Sequence, residues 1–177
     1  MSDTFDRLKI TDGIVTLRPF QLRDAEEHLR GEDDDQRRWL SGGTSTLASV
    51  KKWIEKNAAF WEHGGPVFAF AVVLSSTNQL IGMVEANLDY NNLEGLNPGD
   101  ANISYSVYPQ FRRLGYAAIS VNLLLGFIQK RGVRRATIRI KPDNSISLKI
   151  PEKCGFKRSG ELITSEGHHL FFVKQLG

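Results

Sequence analysis

The stretch from Val67 to Leu74 carries no charge and consists of valine, phenylalanine, alanine and leucine, and apolar alternation resumes from Leu80 to Tyr90. Only the polar break Ser75-Ser76-Thr77-Asn78-Gln79 separates them. Valine and phenylalanine suit the pleated surface of a strand, and so short a gap can only turn the chain back on itself. The two runs predict an antiparallel hairpin, and the rest of the chain must build onto its sheet.

Ile14 to Pro19 reads as an earlier strand ended by proline, and Asp24 to Leu29 as the start of a helix. Leu47, Val50, Ile54, Ala58 and Trp61 recur at helical steps after the capping candidates Thr44 and Thr46, and Gly64-Gly65-Pro66 stops that helix. A loop rich in Asn and Gly from Asn91 to Asp100 precedes a strand from Ala101 to Val107, which Pro109 closes. Ala117, Ala118, Val121, Leu124, Leu125 and Ile128 form the stripe of a helix ending at Lys130-Arg131-Gly132. A strand from Ala136 to Lys141, a helix from Ser145 to Lys153 despite Pro151, and a strand from Leu170 to Lys174 complete the chain. Early hairpins and a late strand-helix-strand crossover predict an α+β fold with a mixed sheet.

A chain of 177 residues, 41% hydrophobic, can fill one sizeable core, so one domain over residues 1–177 is expected. No apolar stretch is long enough to span a membrane, and Met1-Ser2-Asp3-Thr4-Phe5-Asp6 lacks the features of a signal peptide, which gives a cytoplasmic address by default. The single cysteine, Cys154, allows no internal disulfide, and His28, His63, His168 and His169 show no ligand spacing, so no metal is expected. Residues 1–100 carry 10 Lys and Arg against 16 Asp and Glu, whereas residues 101–177 carry 13 against 4. If both halves border one cleft, the second suits an anionic ligand and the first a cationic one; a chance distribution of solvated charge is the alternative.

The most informative segment is Ser106-Val107-Tyr108-Pro109-Gln110-Phe111-Arg112-Arg113-Leu114-Gly115-Tyr116-Ala117, a strand that breaks into a turn and opens directly into an apolar helix. The first N–H groups of a helix lack internal partners and the helix dipole adds positive potential, so a phosphate there satisfies both. Gly115 and Ala117 permit close approach, and Arg112 and Arg113 can add charge-assisted hydrogen bonds, which suits a pyrophosphate. On spacing alone, an ordinary strand-turn-helix with surface arginines fits as well.

Arg112-x-x-Gly115-x-Ala117 resembles the acyl-CoA pyrophosphate loop of the GNAT acetyltransferase superfamily. Asn144-Ser145-Ile146-Ser147, followed by Gly155-Phe156, resembles that family's Asn-x-x-Ser helix and Gly-Phe ending. Leu17-Arg18-Pro19 with Asp24-Ala25, and Ile103 to Val107, resemble the branch that acetylates ribosomal-protein N-termini and includes many small-amine and antibiotic acetyltransferases. The resemblance implies a GNAT-like, mostly antiparallel central sheet flanked by helices, with a splayed strand pair that binds acyl-CoA. It further implies an acetyl-CoA-dependent N-acetyltransferase in which a primary amine, peptide N-terminus or small molecule, attacks the thioester directly.

By that resemblance, Ser106, Val107 and Tyr108 would offer exposed backbone to the pantetheine arm, as a strand edge pairs with an extended amide chain. Arg112, Arg113, Leu114, Gly115, Tyr116 and Ala117 would hold the pyrophosphate. Asn144 would bond the pantetheine arm, with a helix cap as its other reading, and Ser147 would lie near the thioester sulfur. Many relatives carry a tyrosine acid where this chain has Pro151, so Ser147 is the candidate acid, with Tyr108 and Tyr116 behind it. Glu85 is the candidate base, on a strand face with Asn87 and Asp89 that could equally be merely solvated. Cys154 beside Gly155-Phe156 reads as a small core residue rather than a nucleophile, and His168-His169 as a strand end.

The acidic run Glu32-Asp33-Asp34-Asp35 could attract a cationic acceptor or simply be a solvated loop. Two rival functions are an acyl-CoA-binding regulator without catalysis, prompted by the missing tyrosine, and a nucleic-acid module, prompted by Lys130, Arg131, Arg134, Arg135, Arg139 and Lys141. No aromatic residue interleaves that basic cluster, so nucleic acid is not expected. A homodimer is left open.

Overall fold

The computed structural model describes residues 7–41 and 43–177, so the Met1–Asp6 segment read above lies outside the described residues. Eight strands form one sheet: β1 (Ile10–Thr11), β2 (Val15–Pro19), β3 (Val67–Leu74), β4 (Leu80–Asn87), β5 (Asp100–Val107), β6 (Arg135–Ile140), β7 (Lys157–Thr164) and β8 (Gly167–Gln175). Their spatial order is β1-β2-β3-β4-β5-β6-β8-β7. Every neighbouring pair is antiparallel except β5 and β6. Helices α1 (Ala25–Gly31), α2 (Leu47–Glu62), α3 (Tyr116–Gln129) and the short α4 (Lys149–Lys153) pack around it.

The hairpin predicted from Val67 onward is β3 and β4, with Phe70 opposite Val84. Its unbroken apolar run reflects burial on both faces. Phe68, Phe70 and Val72 pack with Val121, Leu124, Leu125 and Ile128 of α3, while Ala71 and Val73 join Phe20, Val50 and Ile54 on the side of α1 and α2. Alternation sends successive side chains to opposite faces, so a strand between two helical layers must be apolar throughout. Trp61, near the end of α2, meets Phe68, Phe70 and Phe127, and its indole N–H donates to the Ala69 carbonyl at 3.2 Å.

Two expectations need correction, and one strand was not foreseen. The second hairpin strand ends at Asn87, not Tyr90, because Leu88 N–H turns away to the Pro66 carbonyl and Asp89 N–H donates to Asn87 Oδ1. Residues 145–148 form turns, and helix starts only at Lys149. That start places Pro151 in the first helical turn, where its missing N–H leaves no bond unmade. The strand β7 lies at the sheet edge, exposed over most of its length, and lacks the apolar alternation that would have revealed it.

Arg18 at the end of β2 and Asp24 just before α1 form a bidentate ion pair at 2.7 and 2.8 Å, with side chains only 6% and 5% exposed. Asp24 also accepts the Gln21 N–H, so it ties the strand, the turn and the helix together. Removing one partner would leave a buried charge without its counter-ion. Asp24→Ala is expected to destabilise the fold by about 3 kcal/mol or more, read as a lower urea midpoint. A midpoint shifted by less than a third of that would show the pair to be dispensable.

Candidate active site

β5 and β6 pair only at Asp100–Arg135, Ala101–Ala136 and Asn102–Thr137. Beyond Asn102 they separate, β5 staying with β4 and β6 with β8. The gap opens a cleft of about 1550 Å³, bounded by β5, β6, the start of α3 and the turn before α4. Backbone on the parting edges of β5 and β6 has no strand partner across this gap, which is what an extended amide-bearing ligand needs.

At the mouth of the cleft stands the predicted strand-turn-helix. Gly115 caps α3 in the left-handed region at φ 86°, and Arg113 two residues earlier is also left-handed at φ 64°. The first internal bond of α3 is Ile119 N–H to the Gly115 carbonyl, so the preceding N–H groups are free of the helix ladder. A turn of this kind gathers backbone N–H groups toward an anion. Arg113, Gly115, Tyr116 and Ala117 line the cleft here, whereas Leu114 is 60% exposed and lies outside the lining.

Arg112 lines the same cleft, but its guanidinium is engaged within the protein. It donates to both carboxylate oxygens of Asp33 at 2.7 and 2.9 Å, to Asp35 at 3.4 Å and to the Val107 carbonyl at 2.9 Å. Arg112 holds the Asp33 carboxyl below its usual range. Tyr108 does not line the cleft. Its ring is buried against the backbone of Gly31, where even a Cβ would come within 2.5 Å, and its hydroxyl is hydrogen-bonded to His28 Nδ1 at 2.7 Å. Its N–H donates to the Ile81 carbonyl and its carbonyl accepts from the Phe111 N–H.

Ser106 and Val107 line the cleft, with Ser106 Oγ donating to Gln36 Oε1 at 2.9 Å. Ser147 lies across from them in the turn before α4. Its N–H donates to Asn144 Oδ1 at 3.3 Å, a contact within the turn and not a helix cap, and its carbonyl accepts from Tyr105 Oη at 3.0 Å. Tyr105 was missed in the sequence, where nothing sets it apart from other strand aromatics. Burial pushes its phenol upward, so it stays a donor throughout the working range. Asn102 Oδ1 and Arg139 Nε are buried without hydrogen-bond partners, and both residues line the cleft. A polar ligand or water in the cleft would satisfy them.

Glu85 sits opposite Ser104, in a polar row with Asn87 opposite Asn102 and Met83 opposite Ser106. Directly opposite residues share a face, so this row fronts the α1 and α2 side of the sheet. Asp89 falls outside it, in the loop. Burial raises the Glu85 carboxyl above its usual range, with the charge of Lys56 opposing. Glu85 and Ser104 line both the cleft and a second pocket of about 410 Å³ behind it, between α1, α2 and β4. The acidic run is dispersed. Glu32 faces this second pocket, Asp33 and Asp35 serve Arg112, and Asp34 pairs with Arg37 at the surface. The basic cluster disperses too, Arg131 stacking on Phe68 and Phe127, Arg135 pairing with Asp100, and Arg139 and Lys141 lining the cleft.

A basic cleft that opens at a helix start, joined at Glu85 to a smaller pocket without lysine or arginine among its described lining residues, suits a phosphate-bearing ligand beside a second, smaller one. Residues 15–157 match the acetyltransferase (GNAT) domain family, and the chain belongs to it. Among solved structures, the chain resembles a GNAT-family acetyltransferase from Bacillus anthracis at 19% identity and TM-score 0.78, over 96% of this chain and 99% of that one. A ribosomal-protein-S5-alanine acetyltransferase from Vibrio fischeri is similar at 18% identity and TM-score 0.77, over 95% and 96%. An aminoglycoside acetyltransferase in complex with coenzyme A is similar at 20% identity and TM-score 0.77, over 91% and 94%. Against curated protein sequences the chain has no match. The protein is an acetyltransferase whose donor is acetyl-CoA, and the unpartnered cleft atoms and the helix start of α3 fit that donor.

A β-branched residue cannot hold the left-handed cap of α3 without strain of about 1–2 kcal/mol. Gly115→Val is expected to weaken coenzyme A binding at least tenfold in calorimetry, and Arg112→Ala to weaken it less, because that side chain is already committed to Asp33. Unchanged affinity in a folded Gly115→Val protein would contradict the assignment of the helix start.

Proposed function

We propose that this acetyltransferase transfers the acetyl group to a primary amine by direct attack in a ternary complex, with Glu85 as the base. The observation that carries the reading is the position of Glu85, shared between the donor cleft and the acidic pocket behind it. A protein that only bound acyl-CoA would have no use for a carboxylate at that junction, held where burial raises its proton affinity. A raised carboxyl pKa brings a base closer to the amine it must deprotonate.

In this reading the splayed edge of β5 at Ser106 and Val107 and the turn at Asn144 guide the pantetheine arm. The start of α3, with Arg113, Gly115, Tyr116 and Ala117, receives the pyrophosphate. The amine nitrogen attacks the thioester carbon, the carbon–sulfur bond breaks, and the electron pair leaves on sulfur. Glu85, directly or through water, takes the proton that the nitrogen sheds. A serine hydroxyl is a weaker acid than a thiol, so Ser147 serves the departing thiolate as a hydrogen-bond donor, and solvent supplies its proton. The reading includes a cytoplasmic address, which suits a buried, unpaired Cys154.

Glu85→Gln keeps the shape and removes the basicity. Its turnover is expected to fall on the order of a hundredfold at neutral pH, with the deficit shrinking as pH rises toward the pKa of the amine. The same substitution should not lower the melting temperature at neutral pH. A carboxyl raised by folding penalises the folded state once it is ionised, and that penalty fades as pH falls from the raised value toward the ordinary Glu range. A deficit constant across pH would make Glu85 a positioning residue, and full activity would remove it from the mechanism.

A further inference from the structure

The pocket behind Glu85 is small, one-sided in charge and closed by a carboxylate that the proposed mechanism does not use. Its lining includes the apolar side chains of Val50, Met83 and Leu40 and the ring of Trp53, and among the described residues it contains no lysine or arginine. His28 also lines it, stacked on Trp53 with ring centroids 5.4 Å apart and planes 8° from parallel. Burial pushes the His28 imidazole down to about 4, so it adds no positive charge there at neutral pH.

Glu32 follows α1 and is only 9% exposed. One of its carboxylate oxygens, Oε1, accepts from Ser45 Oγ at 2.7 Å. The other, Oε2, is buried with no hydrogen-bond partner in the protein. A buried carboxylate left half-satisfied costs folding energy, and a cation placed against the free oxygen would offset that cost. Glu32 is the one member of the acidic run that is not tied to an arginine or left at the surface, and it lines the same pocket as Glu85.

We propose that this pocket selects a small acceptor bearing two ammonium groups on a short alkyl chain, such as an aliphatic diamine or polyamine. Resting on the acyltransferase reading above, the inference gives the two carboxylates different tasks. Glu85 deprotonates the ammonium that enters the donor cleft. Glu32, through Oε2, holds the other ammonium, which remains charged, while Trp53, Val50 and Met83 cover the methylenes between them. The volume of about 410 Å³ suits a small molecule rather than a folded polypeptide segment.

The test compares thiol release from acetyl-CoA with 1,4-diaminobutane, spermidine, n-butylamine and a short peptide with a neutral N-terminal residue. A charge-assisted hydrogen bond to a buried carboxylate should favour the diamine over n-butylamine by roughly tenfold or more in kcat/KM. In Glu32→Gln that ratio should collapse toward unity, carried by a rise in KM for the diamine. Glu32→Ala provides a second variant should Glu32→Gln fold poorly; it too should lose the diamine preference. A wild-type protein that turns over n-butylamine or the peptide at least as well as the diamines overturns the inference and leaves the acyltransferase reading standing. So does a Glu32→Gln protein that retains the preference. Thiol release with none of these acceptors, from a protein that binds acetyl-CoA, would overturn both.

Discussion

The site depends on the shortness of one pairing. β5 and β6 are the single parallel pair, and they hold together for three residue pairs only, at the end where Arg135 Nε donates to Asp100 at 2.9 Å. Each strand is then claimed by its other neighbour, β5 by β4 as far as Val107 and β6 by β8 as far as Ile140. Had the ladder continued, no donor cleft would exist and α3 would begin over a closed sheet. Tyr105 Oη, donating to the Ser147 carbonyl, ties β5 to the turn before α4 across the gap.

The second constraint is the segment between α1 and α2, which ties the helical layer to β5 and to the loop before α4. Asp33 N-caps the helical turn Asp34–Gln36 and holds Arg112, Gln36 accepts from Ser106 on β5, and Arg38 reaches Asp143 at 2.8 Å in the loop before α4. Partly exposed ion pairs are individually weak, but three attachments at separate points define the course of the segment more than any one does alone. Arg112 therefore acts as an anchor of this segment.

Much of this was legible in the sequence. The apolar runs on either side of a short polar break marked the β3–β4 hairpin, the stripe from Ala117 to Ile128 marked α3, and the strand-turn-helix around Gly115 marked where that helix begins. What sequence spacing cannot carry is the direction of a side chain. Arg112 turns to Asp33 and Tyr108 to His28, although both stand in the motif segment that suggested ligand contact. Glu32 lost its identity in a run of four acids, because burial of one of them is decided by residues such as Ser45 and Trp53 outside the run. β7 was invisible because an exposed edge strand needs no apolar alternation.

One modest feature has a practical side. Cys154, the single cysteine, is 2% exposed, its thiol hydrogen-bonds to the Ala118 carbonyl at 3.7 Å, and burial pushes its pKa up to about 11. Thiolate is the reactive form, so at neutral pH this sulfur is nearly inert toward disulfide reagents and alkylating agents. A chromogenic disulfide added to a reaction mixture would register liberated coenzyme A against almost no background from the enzyme itself. The same silence makes the molecule a clean starting point for site-specific labelling, since a cysteine introduced at an exposed position would be the sole reactive thiol.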